Sequence, residues 1–213
     1  ETWREQEGWL GETSPCAWHG VTCQNGHVTH LALPNNNLTG SLPPRLSLLT
    51  HLVRLDLSGN QLHGNLPPRI GNLNRLTHLD LSENELRGPI PPRLGILVKL
   101  QVLDLHHNHL SGEIPPALGD LRRLTRLDLS GNELSGEVPP QLGNLVNLTK
   151  LNLAANPLSG SLPETLVALT TLESFTFNDT QLAEPSDTAF QEWLNRIPHM
   201  ESTGVKAGVP ITK

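Results

Sequence analysis

The chain has 213 residues, a formal net charge of −6 and a pI near 5.9. That balance excludes a phosphate-binding surface as the main activity, because nucleic-acid binders concentrate positive charge, and no run of about 18 apolar residues is present to span a membrane. Aromatics make up only 3% and Tyr is absent, while Gly and Pro number 18 each, so the core must come from leucine.

The chain begins at Glu1, with no basic segment followed by an apolar run, which fits a processed or trimmed product. Cys16 and Cys23 come first among the chemically informative residues. With no His or Cys at zinc spacing, they read as a local disulfide in an oxidising compartment, the alternative being two reduced, buried thiols.

From there the chain repeats. Asn recurs every 24 residues at Asn36, Asn60, Asn84, Asn108, Asn132 and Asn156, and Thr180 takes the next station. Such self-similarity means a solenoid, in which no unit buries its own apolar face and each stacks on its neighbours. In "LDL" two leucines flank an outward residue, the period-2 mark of a strand with one buried side. Gly64, Gly88, Gly112, Gly136 and Gly160 permit tight backbone geometry. The Pro pairs that follow suit the first turn of a short helix, after which Ile70, Leu94, Leu118 and Leu142 face back to the core. The Asn column predicts a ladder, since a stacked amide can satisfy buried turn groups of two coils. One strand per coil predicts a parallel sheet of about seven strands.

All seven aromatics lie outside the regular repeats: Trp3, Trp9, Trp18, Phe175, Phe177, Phe190 and Trp193. They mark the two ends that a solenoid must cover. Ala189, Phe190, Trp193, Leu194 and Ile197 share one helical face, with Ser186 or Asp187 as its N-cap. From Pro198 onward the tail reads as irregular and polar.

The units "LVRLDLSGNQLHGNLPPRIGNL", "LTHLDLSENELRGPIPPRLGIL", "LQVLDLHHNHLSGEIPPALGDL" and "LTRLDLSGNELSGEVPPQLGNL" resemble the plant-type leucine-rich repeat, over residues 28–182. "WLGETSPCAWHGVTCQNGHVTHLAL" is similar to the N-terminal cap of secreted members, without the helix that usually precedes a Trp such as Trp3, and "EPSDTAFQEWLNRI" resembles a C-terminal capping helix. Where that cap often carries Cys, this chain has Ala183, so a cap-to-cap disulfide is not expected. The resemblance implies an α/β-repeat solenoid: a short right-handed arc, a parallel β-sheet on the concave face, short 3-10 or helical turns on the convex face, and a cap at each end. It divides the chain into an N-terminal cap at 1–27 with a Cys16–Cys23 disulfide, repeats at 28–182, and a capping helix and tail at 183–213. It also implies an extracellular, receptor-like module that binds a protein or peptide, with no catalysis and no cofactor. The alternatives are an accessory subunit of an envelope or larger assembly, or an inhibitor of a cell-wall hydrolase.

The outward strand positions form three columns. The first runs His30, Arg54, His78, Val102, Arg126, Lys150, Ser174; the second Ala32, Asp56, Asp80, Asp104, Asp128, Asn152, Thr176; the third Pro34, Ser58, Ser82, His106, Ser130, Ala154, Asn178. A mostly basic column lies beside an acidic one. The Asp row itself reads as repeat consensus, and the residues that the repeat does not dictate carry the specificity. The predicted partner-binding set is Arg54, His78, Val102, Asp104, His106, His107, Arg126, Asp128 and Lys150. The run "HHNH" (His106, His107, His109) is read as decoration and not as a metal site, because neighbours on an extended segment point apart. Glu113 and Glu137 on a flat flank make no glycosidase pair. Arg45, Arg69 and Arg93 form a solvated convex row, and the Thr29, Thr77, Thr125 and Thr149 array is interrupted. Asn37, Asn147 and Asn178 head glycosylation sequons.

Overall fold

The computed structural model describes residues 3–9, 11, 14–203 and 205. Nine strands form the main sheet: Val21–Gln24, His27–Ala32, Arg54–Asp56, His78–Asp80, Val102–Asp104, Arg126–Asp128, Lys150–Asn152, Ser174–Thr176 and His199–Glu201. The first two make an antiparallel hairpin, and every later neighbour is parallel. The register advances by one repeat per strand, so His78 lies beside Val102, Val102 beside Arg126 and Arg126 beside Lys150. Each predicted column is therefore a row of spatial neighbours at roughly 4.8 Å.

Nine strands replace the expected seven because both caps lend one. The expectation of an irregular tail from Pro198 is wrong at His199–Glu201, which pairs with Ser174–Thr176, and the Phe177 N–H donates to Glu201 O at 2.8 Å. A solenoid that stopped at Ser174–Thr176 would leave a raw edge of unpaired backbone groups. Residues 204 and 206–213 lie outside the described residues.

Past each Asn the chain turns into a second short strand. Thr39–Ser41, Gln61–Asn65, Glu85–Gly88, His109–Gly112 and Glu133–Leu134 line up as a flank sheet, and Ser159–Ser161 pairs with Gln181–Ala183. Gly88 leaves its strand at φ +71, which an L side chain adopts only with strain. The Pro pairs then open 3-10 turns such as Pro92–Ile96 and Pro116–Asp120 on the convex side. At Gly95 the coils are so close that a Cβ would strike the Ala117 carbonyl of the next one.

The interior is a stack of leucines: Leu79, Leu81, Leu103, Leu105, Leu127 and Leu129 are all fully buried. Beside it runs the Asn ladder. Asn108 Nδ2 donates to the carbonyls of Leu81 (3.0 Å), Leu105 (3.2 Å) and His106 (3.3 Å), while its Oδ1 accepts from Leu86 N–H at 3.0 Å. One side chain thus satisfies buried groups on two coils, which a leucine could not do. At the first coil Asn36 is met by Glu5, whose N–H and carbonyl bond its amide at 2.6 and 2.8 Å. At the last coil Thr180 Oγ1 donates to Phe177 O and accepts from Leu182 N–H.

The aromatics close the ends. Trp9 packs on Trp3 and Trp18 at ring distances of 5.3 and 4.7 Å, and the Cys16–Cys23 disulfide ties the segment to the first strand. At the other end helix α1, Thr188–Leu194, is capped by Asp187, whose carboxylate accepts from Phe190 N–H at 3.0 Å. Its Phe190 and Trp193 cover the last coil, where Phe175 and Phe177 replace leucine. Among the described residues, no helix is long and apolar enough to cross a membrane.

Candidate functional site

The outer side of the main sheet is where the sequence spends its variation. On the acidic column each carboxylate is fixed by the residue two positions on. Asp56 accepts from Ser58 N–H and Oγ, Asp80 from Ser82, and Asp128 from Ser130, with hydroxyl distances of 2.8, 2.6 and 2.7 Å. The "D-L-S" stretch is thus a side-chain turn that holds the strand end. It also sinks the carboxylates: the Asp104 and Asp128 side chains are only 5% exposed. The sequence expectation of an outward-facing Asp row needs that correction, since these groups face the concave side yet are largely covered by their neighbours.

In the central repeat His106 stands where the other three Asp-bearing repeats have Ser58, Ser82 and Ser130. Its Nδ1 lies 2.6 Å from Asp104 Oδ1, and its Nε2 lies 3.6 Å from Glu83. Burial works to lower the imidazole's pKa. The hydrogen bond with Asp104 and the charges of Asp104, Asp128 and Glu83 overcome this and hold it above its ordinary value. Arg126 bridges two strands, its Nη2 2.7 Å from Asp104 Oδ2 and 3.4 Å from Asp128 Oδ2. Lys150 approaches Asp128 from the other side at 3.9 Å.

The structure therefore brings Asp104, His106, Arg126, Asp128 and Lys150 into one connected network. Arg54 forms a separate pair with Asp56 at 3.2 Å. His78 is tied by its ring to Thr77 Oγ1 at 2.8 Å, and burial with the charges of Arg54 and His30 lowers its pKa. Val102 is half-buried between His78 and Arg126. His107 stands apart from the network: it takes a left-handed φ of 49, at a station that Gly59 and Gly131 fill elsewhere, and its ring lies over Gly131. Its ring nonetheless meets that of His106 edge to face, with centroids 5.0 Å apart and planes 62° apart, so the two imidazoles are not splayed apart as expected.

His109 pairs with Glu133 on the flank and does not join His106. The ligand-type atoms that do converge belong to Asp104, His106 and Asp128, all within 4.8 Å. Arg126 already donates to both of those carboxylates, so a guanidinium fills the cationic position there. The Thr array has a backbone role: Thr77, Thr125 and Thr149 hydroxyls donate to carbonyls of the preceding coil.

Between the Arg54 pair and the Arg126 network the concave surface opens into a cleft of about 430 Å³. Its lining includes Ser58, Asp80, Glu83, Val102, Asp104 and His106. Asp80 and Glu83 are absent from the residues singled out by sequence. The available signal was the column itself, which sets neutral Val102 in the basic row next to an intact acidic row.

A model of the leucine-rich repeat matches residues 51–73 and 75–97, and a two-copy model of the same repeat matches 98–140 and 122–168. The plant peptide hormone receptor RGFR1, solved in complex with RGF2, superposes with a TM-score of 0.74 at 36% identity, over 78% of this chain and 26% of that one. In the BIR3–SERK2 complex of Arabidopsis thaliana, the matched chain gives a TM-score of 0.61 at 40% identity, over 70% of this chain and 80% of that one. Leucine-rich repeat protein 2 of Arabidopsis thaliana is 52% identical over 40 residues, 18% of this chain and 18% of its own length. The chain spans less than a fifth of the length of the curated relatives it matches.

Proposed function

This chain belongs to the plant-type leucine-rich-repeat family, and on that premise we propose that it is an extracellular recognition module that binds a peptide or protein on its concave sheet. The observation that carries the reading is the concave surface: variable, mixed in charge, and indented by a cleft large enough for side chains of a partner. The related RGFR1 is described as a plant peptide hormone receptor in complex with RGF2, and the related BIR3 and SERK2 as a complex with each other. The Cys16–Cys23 disulfide supports an oxidising, extracellular setting. In this reading the chain is a binding scaffold and not an enzyme, and the relatives lend no support to an envelope subunit or a hydrolase inhibitor.

Among the described residues no Phe, Tyr or Trp supplies a hydrophobic anchor on the concave sheet, so binding rests on charge and hydrogen bonding around the network. The test is to pan the immobilised chain against a displayed random-peptide library. Enriched clones are then re-measured on a folded Arg54→Glu/Lys150→Glu variant, whose changes bracket the cleft. The reading expects enrichment and about a tenfold loss of affinity on the variant. A library that yields no clone, or clones that bind both forms equally, would overturn it.

A further inference from the structure

The ladder of charges on the concave face is broken at Val102. Arg126 shows what a rung does: from its own strand it reaches back to Asp104 and sideways to Asp128. One strand earlier the same station is Val102, in register with Arg126 on one side and His78 on the other. A cation at that station would span Asp80 and Asp104 just as Arg126 spans Asp104 and Asp128. Valine has neither the charge nor the reach, and the space over it is the open cleft.

Asp80 sits in that cleft uncompensated. Its Oδ1 accepts from Ser82, and among the described residues no cation comes within ion-pair distance of it. His78 does not make up the deficit, since burial and the neighbouring Arg54 and His30 charges disfavour its protonation. Burial pushes the Asp80 carboxyl above its ordinary range; the Ser82 bonds oppose this, and the Asp104 and Asp56 carboxylates add to it. Glu83 on the rim adds further negative charge.

We propose that this cleft is the docking subsite for an arginine side chain of the ligand, the guanidinium lying between Asp80 and Asp104 and its stem over Val102. The proposal rests on the recognition reading above. It selects arginine over lysine because a planar fork with several donors can address two carboxylates at once, as Arg126 already does, whereas an ammonium is a point charge.

The test uses a capped Gly-Arg-Gly peptide and its citrulline counterpart, which keeps the shape and loses the charge. Each is titrated into the intact isotope-labelled chain and followed by amide chemical shifts. The expected result is a saturable millimolar response centred on Asp80, Ser82 and Val102 for the arginine peptide, at least about tenfold weaker for citrulline. Two variants act on the site from opposite sides. Asp80→Asn removes the charge, and Val102→Arg supplies the missing rung from within; either should abolish the response while the chain still melts cooperatively. Equal shifts from both peptides, shifts centred elsewhere, no response, or undiminished binding by Val102→Arg would overturn the proposal. Should the probe fail while panned clones still depend on Arg54 and Lys150, the subsite is wrong and the recognition reading stands.

Discussion

The inner and outer sides of the same strand obey different rules. In Val102–Asp104 and Arg126–Asp128 the central leucines, Leu103 and Leu127, are interchangeable, fully buried and stacked in register. The outer residues on either side are not: one strand offers valine where the next offers arginine, and that difference decides whether the acidic row is neutralised or left open. Regularity inside fixes positions closely enough that one irregular residue outside becomes a site. A solenoid separates the two tasks because its core repeats along one axis only.

The largest test of that contrast is to cut both sides of one strand. Leu103→Ala removes fully buried methyl groups from a stack that cannot collapse around the gap, so it should cost about 3 kcal/mol. Asn108→Ala takes from the Leu86 N–H its Oδ1 acceptor and from the Leu81 and Leu105 carbonyls one of their two amide donors, the other coming from Asn84 and Asn132, and should cost about 2 kcal/mol. Val102→Ala, on the outer side, should cost less than about 1 kcal/mol. Urea titrations measure all three. Comparable losses from Leu103→Ala and Val102→Ala would remove the distinction.

At the end of the solenoid the cost comes from chain entropy. Reducing Cys16–Cys23 should lower stability by about 2–3 kcal/mol for so short a loop, if the cap and the repeats melt together. A calorimetric trace with a separate small transition, the repeats unchanged, would show that the cap unfolds independently.

What sequence made visible follows the same division. The 24-residue period, the strand, the Pro-led turn and the Asn ladder were readable because each repeats, and a repeated residue averages out its neighbours. Several contacts that occur once, between distant parts of the chain, were hidden. The bonds between Glu5 and the Asn36 side chain, 31 residues apart, use only the backbone of Glu5, so the partner leaves no mark on the sequence. His199–Glu201 carries no leucine pattern, yet the exposed edge of Ser174–Thr176 recruits it. Asp104 and Asp128 read as outward members of the binding set on a consensus row, but Arg126 and the residues two positions on cover them, which only the register brings together. His107 reads as the next residue of an extended segment, but the turn places it in a left-handed conformation. Asp80 was in plain sight in its column; the missing step was to compare rows for charge balance.

Val102→Arg sharpens the comparison from the other direction, by making the odd strand regular. The new guanidinium should pair with Asp80 and Asp104 as Arg126 pairs with Asp104 and Asp128. Such a half-exposed pair is worth about 0.5 kcal/mol, or roughly 1–2 °C in melting temperature. Asp80→Asn alone should also raise stability at neutral pH, because the native state holds that carboxyl's proton more tightly than the unfolded chain does. In combination the gains should not add, since each relieves the same uncompensated charge. Full additivity would mean that the arginine at 102 points elsewhere.

The smallest effect concerns His106, the other outer residue that breaks the repeat. Its folded pKa lies above the ordinary value of 6.5, so the native state binds its proton more tightly than the unfolded state. The stability this confers is complete below the unfolded pKa and disappears as pH rises through the folded one. The groups facing the ring are Asp104, Asp128 and Glu83, with Asp80 and Arg126 on the same cleft. His78 works in reverse, because its lowered pKa makes protonation costly to the fold. Total stability therefore reports a difference of opposing terms, and the informative quantity is the gap between wild type and His106→Gln. That gap should widen in favour of wild type as pH falls from about 8 to 6. A gap that is flat with pH, or an NMR titration placing His106 at or below 6.5, would show that Asp104 does not hold the imidazolium and that the histidine merely replaces a serine.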